Sequence, residues 1–215
     1  MLCNTEPLEN RCEALVLGIG NVLWADEGFG VRAVEAFHAA FAFPAGVSLV
    51  DGGTLGLGLY EAVGTARRVL VFDAIDFGLP PGTLRVLRGD DVPAWGRTKL
   101  SPHQNGFNDV LALLQLNGRA PETITAIGVQ PRELLDFGGS LTDAVSDRLP
   151  EAVALAATEL HSWGLTGTPR PAGAACEPLN ARSLSRTEYE SGRPSNADAC
   201  RSGDPRLVAR TEEDG

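Results

Sequence analysis

Cysteine is scarce in this chain of 215 residues, and the four that occur stand near its two ends, at Cys3, Cys12, Cys176 and Cys200. They form no CxxC spacing and no cluster with histidine, so the sequence has no zinc-ribbon pattern and a poor framework for disulfides. We interpret them as reduced thiols of a cytoplasmic protein. Because all four precede the first predicted strand or follow the last helical pattern, we expect no cysteine nucleophile.

Basic residues are fewer than acidic ones, and long apolar runs are absent from the sequence. With 18 Lys+Arg against 28 Asp+Glu, the formal net charge of −10 gives no electrostatic footprint for nucleic acid or an anionic membrane surface. No stretch approaches the ~20 apolar residues that span a bilayer. Acidic residues stand where a secretory signal has its positive region. We therefore expect a cytoplasmic protein with no nucleic-acid partner and no membrane insertion.

Composition divides the chain into three parts. Residues 1–12 predict a flexible leader, and residues 13–164 alternate apolar segments with turn signals, as a single domain with a full core does. From residue 165 onward the chain is rich in Pro, Gly, Ser, Arg and Glu and holds almost no large apolar residues. Such a segment cannot bury enough surface to offset the entropy of ordering, so residues 165–215 predict a disordered polar tail.

Apolar runs and amphipathic segments alternate within the domain. The runs predict strands at 14–19, 47–50, 68–72, 83–87 and 123–129. Helical patterns lie between them, and a last one covers about 141–163, where Pro150 is expected to start or kink the second half. The connection at residues 80–82 favours an antiparallel neighbour for the fourth strand, because it is too short for a crossover. This order predicts an α/β three-layer sandwich, with a mostly parallel twisted sheet of about five strands flanked by helices.

Acidic residues and one histidine stand where the predicted strands end. Glu27, Asp51 and Asp73 follow the first three strands, and His103 lies in a predicted loop that can reach the same edge of the sheet. Ligands collect beyond the carboxyl ends of parallel strands, because loops and helix N-termini meet there. Two carboxylates and an imidazole can hold a borderline divalent ion and leave coordination positions open. Such a metal could polarise a carbonyl or activate water, as amide hydrolysis requires.

Each of these residues also has a structural interpretation, which the residues alone leave open. Glu27 at a predicted helix start is a favourable partner of the helix dipole. Asp51 and Asp73 are suited to stabilising turns after strands through local hydrogen bonds. His103 follows a proline in a loop, where a surface role is common.

Two other enzyme classes lack their signatures. The turn Gly18-Ile19-Gly20 begins a dinucleotide-binding fingerprint, but Leu23 occupies the position of its third glycine. The sequence has no G-x-x-x-x-G-K-[ST] phosphate loop and no G-x-S-x-G nucleophile elbow. A nucleotide-binding or small-molecule enzyme that shares only the fold stays as one alternative.

Four groups of residues, far apart in the chain, carry a family pattern. They are Val16-Leu17-Gly18-Ile19-Gly20-Asn21 with Asp26-Glu27-Gly28-Phe29-Gly30-Val31-Arg32, then Asp51-Gly52-Gly53-Thr54, Val71-Phe72-Asp73-Ala74, and Ser101-Pro102-His103-Gln104. In order and spacing they resemble the hydrogenase maturation protease family over about residues 13–163. A single Gly-x-Gly-Asn turn has little specificity, whereas four matches in order are specific.

The resemblance implies a twisted sheet flanked by helices and a metal site formed by Glu27, Asp73 and His103. Asp51, in the turn beside that site, is expected to orient a ligand or the substrate backbone, which makes it the fourth candidate catalytic residue. The implied substrate is the precursor of a [NiFe] hydrogenase large subunit, whose C-terminal extension the family removes once nickel has been inserted. Nickel is therefore expected to arrive with the precursor, and no organic cofactor is expected.

Two questions stay open at this stage. The metal is either the nickel of the precursor, acting as a recognition signal, or a resident catalytic ion. Both interpretations start from the same observation, that three ligands are too few for a tight structural site, and we prefer the first. The alternative function is a non-catalytic chaperone, which would bind the nickel-loaded precursor without cutting it.

Overall fold

The computed structural model describes residues 12–89, 91–92, 102–171, 173 and 176–193, and only the backbone of residues 102–105. The strands in these ranges are β1 (Cys12–Ile19), β2 (Phe41–Ala42), β3 (Val47–Gly53), β4 (Ala66–Ala74), β5 (Leu84–Arg88), β6 (Thr123–Val129) and β7 (Thr168–Pro169). One sheet has the order β3-β1-β4-β6-β5, and β2 pairs with β7 in a separate two-stranded sheet. The five strands of the larger sheet are those that the apolar runs predict.

The larger sheet is mostly parallel, as predicted. β1, β3, β4 and β6 run parallel, and β5 is antiparallel to β6. The antiparallel neighbour expected for β5 is therefore β6, which comes later in the chain. β4 cannot take that place, because it is already paired with β1 on one side and with β6 on the other.

Helices cover both faces of the sheet. They are α1 (Phe29–Ala40), α2 (Tyr60–Gly64), α3 (Pro102–Leu116), α4 (Asp143–Ser146), α5 (Leu149–Ser162) and α6 (Arg186–Gly192). The predicted helical region 141–163 is divided into α4 and α5. Pro150 lies in the first turn of α5, where its missing N–H has no helical partner to lose, so it starts this helix as expected.

Side chains of the central strands point alternately to the two faces and build two apolar clusters. On one face Leu17 of β1 and Val71 of β4 pack with residues of α2 and α3. On the opposite face Val16 and Phe72 pack with residues of α1 and α5. Every residue from 14 to 19 is buried, as expected for a strand covered on both faces. The three-layer α/β prediction is confirmed.

Two glycines allow α1 to approach the carboxyl ends of β1 and β4 closely. A Cβ at Gly30 would collide with the carbonyl oxygens of Ile19 and Phe72. A Cβ at Gly18 would collide with the carbonyl oxygen of Gly30. Any larger residue would force the helix away from the sheet. The glycines therefore fix the start of α1, and the turn just before it, at the edge of the sheet.

The described part of the predicted tail forms regular structure and contacts the domain. β7 pairs with β2, and a 3-10 turn at Arg182–Leu184 leads into α6. These elements lie within the segment 165–215 that composition predicts to be a disordered tail, and residues 194–215 lie outside the described residues. The composition argument considered apolar area alone, whereas this segment attaches largely through polar groups.

Two findings concern the other sequence predictions. Cys12, which was assigned to the leader, is the first residue of β1 and lies opposite Ala66, while residues 1–11 are outside the described part of the chain. Among the helices that the structure describes, none combines the length and apolar character needed to cross a bilayer.

Candidate active site

The loops that follow β1, β3 and β6 meet at the carboxyl edge of the parallel strands. The amide of Gly20, after β1, donates to the carbonyl of Gly53, at the end of β3 (3.0 Å). The amide of Gly138, after β6, donates to the carbonyl of Leu23 (2.7 Å). Segments that are distant in sequence thus share one edge, where ligands of parallel sheets usually bind.

Glu27 lies in a 3-10 turn, Ala25–Gly28, between β1 and α1, and is 9% exposed. Gly20 fits tightly against this turn: its φ is +136°, and a Cβ there would collide with the carbonyl oxygen of Glu27. Ala25 has a φ of +45°, a conformation that residues with a side chain rarely adopt. Backbone strain that the surroundings hold in place is common at functional sites.

Asp73 lies on β4 opposite Gly128 of β6 and is 1% exposed. Strand alternation puts it on the same face as Val69 and Val71, which is the face that α3 covers. The Ala25–Gly28 turn contacts β4. Glu27 and Asp73 therefore lie on neighbouring segments at the same edge of the sheet.

His103 lies in the first turn of α3, whereas the sequence predicts a loop there. Its side chain is outside the described residues, so its place is given by the backbone. A Cβ at Gly106, one turn further along α3, would lie 2.9 Å from the Cα of Gly56. Gly56 begins the 3-10 turn that follows β3. The start of α3 is thus beside the same cluster of loops.

The backbone segments that carry the predicted ligands Glu27, Asp73 and His103 therefore converge. Carboxylate and imidazole groups are suitable donors for a borderline divalent ion. Within the described part of the chain, no group of three His, Cys, Asp or Glu side chains is arranged to hold a metal ion. The described side chains do not include that of His103, so the three-residue metal site stays a prediction.

Asp51 lies near the end of β3, opposite Gly18 of β1. Its Oδ1 accepts a hydrogen bond from the Gly53 amide (2.7 Å), and its Oδ2 accepts one from the side-chain amide of Asn180. Burial raises the pKa of the Asp51 carboxyl, and the hydrogen bonds from Asn180 and Gly53 oppose this shift. Asp51 thus stabilises its own turn, and its role towards a substrate stays a prediction.

Asn180 was not predicted as a site residue. It stands 129 positions after Asp51, in the segment that composition assigned to a disordered tail. No local pattern links two residues at such a separation, so the pairing could be found only from the folded chain.

Asp26 is a second residue that sequence reasoning missed. It is fully buried, and its Oδ2 accepts hydrogen bonds from the amides of Arg132 (2.9 Å) and Glu133 (3.0 Å). Thr142 donates its amide to Oδ1 (2.7 Å) and its hydroxyl to Oδ2 (3.0 Å). Four hydrogen bonds to one carboxylate fix the loop after β6 beside Glu27. The sequence shows only that Asp26 is an acidic residue next to the predicted ligand Glu27. Its hydrogen-bond partners are more than 100 positions away, so they could not be identified from the sequence.

Apolar side chains are exposed on the same loops. The ring of Phe137 lies edge-on to that of Trp24, with 5.2 Å between the centroids, and is still 56% exposed. Leu135 is exposed on the loop after β6, and Leu55 and Leu57 are exposed on the loop after β3. Exposed apolar groups that border a polar site are typical of a surface that binds another chain.

A family model described as HycI, hydrogenase maturation protease, matches residues 31–159. The chain belongs to the hydrogenase maturation protease family. The family prediction made from the four sequence segments is thereby confirmed. Asp51, Asp73 and His103 lie within the matched span, and Glu27 stands four positions before it.

The matches to relatives extend over most of the length of this chain. It is 53% identical over 194 residues to the hydrogenase expression/formation protein HupD of Rhodobacter capsulatus, covering 90% of this chain and 91% of the relative. It is 38% identical to the hydrogenase 2 maturation protease of Escherichia coli, covering 74% of this chain and 96% of that protein. The solved structure of the hydrogenase maturating endopeptidase HybD from E. coli has a TM-score of 0.71 at 37% identity, over 74% of this chain and 98% of that one.

The matched lengths differ between two of these relatives. A continuous match over 194 of the 215 residues cannot omit residues 176–193, so the R. capsulatus protein has a counterpart of this segment. The 74% match to the E. coli structure is too short to run from β1 to α6. A match that begins at β1 therefore ends before α6.

Proposed function

We propose that this protein is an endopeptidase that removes the C-terminal extension of the nickel-loaded large-subunit precursor of a [NiFe] hydrogenase. One observation carries the proposal: in a member of this protease family, the segments with Glu27, Asp51 and Asp73 converge at one sheet edge beside the start of α3. The precursor is the partner in this proposal, and neither nucleic acid nor an organic cofactor takes part.

The nickel belongs to the substrate in this proposal. Glu27, Asp73 and His103 would contact the metal when the precursor docks, and the contact would report that nickel has been inserted. Two carboxylates and an imidazole are suitable ligands and leave positions for those of the precursor itself. The support is that Glu27 and Asp73 are almost fully buried acids on segments in contact with each other.

Cleavage needs an activated water and a correctly held carbonyl. A site carboxylate takes a proton from a water molecule, and the oxygen of that water attacks the scissile carbonyl carbon. The C–N bond then breaks as a proton passes to the leaving amine, which gives the mature subunit a new carboxylate. Asp51 orients the substrate backbone in this scheme, because holding the carbonyl against the water removes much of the entropic barrier. The exposed apolar side chains of Leu55, Leu135 and Phe137 offer contact area for the precursor.

A cytoplasmic location is part of the same proposal. Cys12 and Cys176 are free thiols, as expected in a reducing compartment. Burial raises the pKa of the Cys12 thiol, so this cysteine is mostly protonated and poorly reactive.

The deciding experiment is incubation of the purified protein with a nickel-loaded and a nickel-free precursor, followed by intact-mass measurement. We expect the nickel-loaded precursor to lose the mass of its extension and the nickel-free precursor to stay whole. Cleavage of both forms would refute the recognition role of nickel. Binding of the loaded precursor with no loss of mass would refute the endopeptidase and favour a chaperone.

Replacement of Asp73 by Asn or of His103 by Ala tests the site residues. We expect both variants to lose processing by at least ~100-fold, because the ligand set or the proton acceptor is removed, while the thermal midpoint shows that the domain still folds. The matched control is His161→Ala, since His161 lies on α5, away from the sheet edge, and contacts Thr166. Normal processing by the Asp73 and His103 variants would refute this assignment.

A further inference from the structure

The segment formed by residues 176–193, here called the strap, contacts α1, the end of β3 and the loop after β6. Its first part lies along α1, where the Glu177 carbonyl is 2.9 Å from His38 Nε2. Its middle reaches the end of β3, and its last part, α6, lies against residues 139–146. These three segments all contact or directly follow the loop between β1 and α1, which carries Glu27.

The middle of the strap is linked to the Glu27 turn through a short series of contacts. Asn180 donates a hydrogen bond to Asp51 Oδ2, and Asp51 Oδ1 accepts from the amide of Gly53 (2.7 Å). The Gly53 carbonyl accepts from the amide of Gly20 (3.0 Å), and Gly20 is in close contact with the carbonyl of Glu27. This series of contacts connects Asp51 to the loop that carries Glu27.

Arg32 anchors the next part of the strap. It lies on α1, directly after the Glu27 turn, and is only 5% exposed. Its guanidinium donates to the carbonyl of Leu184 (2.6 Å) and to Glu35 (2.9 Å), and it lies over the ring of Tyr189, 5.6 Å from the centroid. A buried guanidinium is costly unless its donors are satisfied. The strap supplies two of its three partners, so α1 and the strap are held together.

Helix α6 binds the loop on the other side of the site. Glu190 accepts a hydrogen bond from Ser140 Oγ (2.5 Å), and Arg186 donates to Ser146 Oγ (2.8 Å). The Tyr189 hydroxyl donates to the Gly139 carbonyl (3.3 Å). This loop is the one that Asp26 fixes through Thr142. Asp26 and Glu27 are neighbours in the Ala25–Gly28 turn, and both are thus linked to segments that the strap contacts.

We propose that the strap completes the site, and that Asn180 is a positioning residue that holds Asp51 in place for peptide cleavage. The inference rests on the proposed endopeptidase activity. An amide suits this position because it donates to a carboxylate without adding charge. The Glu35 carboxyl also interacts with Asp51 and with the Asn180 side chain, so an acid at position 180 would add a third carboxylate in a half-buried setting. The match to the R. capsulatus relative spans the residues of the strap.

The test uses the full chain with Asn180→Ala, Asn180→Gln and the control Thr187→Ala, since Thr187 is exposed on α6. Three quantities are measured for each: kcat and KM for the nickel-loaded precursor, amide hydrogen exchange of residues 51–54, and the thermal midpoint. We expect Asn180→Ala to lower kcat about tenfold with little change in KM, because misplacement of an orienting group acts on the chemical step. Exchange at 51–54 should rise, while Thr187→Ala stays like the parent protein.

Asn180→Gln keeps the donor on a longer side chain and is expected to recover part of kcat. The inference is overturned if Asn180→Ala leaves both kcat and the exchange of 51–54 unchanged. It is also overturned if kcat falls only in proportion to the folded fraction, or falls equally in Thr187→Ala. If the parent protein fails to cut the loaded precursor, the proposed function is wrong, and the exchange difference between Asn180→Ala and Thr187→Ala alone decides whether the strap holds Asp51.

Discussion

The domain and the strap are held in place by different kinds of interaction. In the domain, strands such as β1 and β4 bury continuous apolar runs between two helical layers. In the strap, the groups that contact the domain are mainly the Asn180 amide, the Arg186 guanidinium, the Glu190 carboxylate and backbone carbonyls, with Leu179 as an apolar contact. Apolar burial is the dominant favourable term in folding, whereas a typical hydrogen bond adds only about 1 kcal/mol net. The domain should therefore supply most of the stability, and the strap should supply local positioning.

The largest effect is expected in the apolar core. Leu114 is fully buried on α3, whereas Leu116 on the same helix is 83% exposed. Leu114→Ala should lower the free energy of unfolding by about 2–5 kcal/mol, and Leu116→Ala should change it by less than about 0.5 kcal/mol. Urea denaturation of both variants measures the two values. Equal losses would mean that the packing of α3 against the sheet is not as described.

Removal of the strap should have an intermediate effect. A chain that ends at residue 175 keeps β7 and loses the contacts of the strap with Arg32, Asp51 and residues 139–146, which correspond to a few partly exposed hydrogen bonds. We expect a loss of about 2 kcal/mol in unfolding free energy, rather than the unchanged stability that a disordered tail predicts. Thermal unfolding of the truncated and full chains gives the comparison. A difference below about 0.5 kcal/mol would show that the strap does not dock in solution.

A smaller effect, with a pH dependence, is expected for a buried carboxylate of the domain that pairs with the exposed Arg88. Glu159 on α5 is 6% exposed and accepts hydrogen bonds from Arg88 (2.6 Å) and Thr125 (2.8 Å). Burial acts to raise the pKa of Glu159, but the hydrogen bonds from Arg88 and Thr125 outweigh it, and the pKa lies below its usual value. A lowered carboxyl pKa stabilises the fold above the unfolded-state pKa, and this contribution disappears as the pH falls through the folded-state pKa.

Glu159→Gln should therefore cost about 1–2 kcal/mol at pH 7 and lose this effect at acidic pH, where the parent carboxyl is also neutral. The strap offers the matched comparison, since Glu190 pairs with Arg186 at 2.9 Å on a half-exposed surface. Glu190→Gln should cost less than about 1 kcal/mol, because exposed ion pairs are weak. Unfolding free energies at pH 7 and in acid give both numbers. A cost of Glu159→Gln that grows on acidification would contradict the assignment.

Much of the fold could be predicted from short-range patterns. The five strands of the larger sheet, its mostly parallel order and the start of α5 at Pro150 follow from apolar periodicity and from the chemistry of proline. The secondary structure at His103 was harder to predict, because the sequence Ser-Pro-His-Gln is compatible with both a loop and the start of a helix. The roles of Asp26 and Asn180 could not be predicted, since their partners are more than 100 positions away.

The sequence by itself determined the α/β class, the positions of the strands and the family, because apolar alternation and four short motifs are local properties of the chain. Only the tertiary structure decided that Asp26 holds the loop after β6, that Arg32 is buried beneath Leu184, and that Asn180 reaches Asp51. The amino-acid composition of the strap predicts disorder, whereas the structure shows it in contact with the domain. The physical reason is that polar segments are stabilised by specific partners, and those partners come together only when the sheet has brought distant loops to one edge.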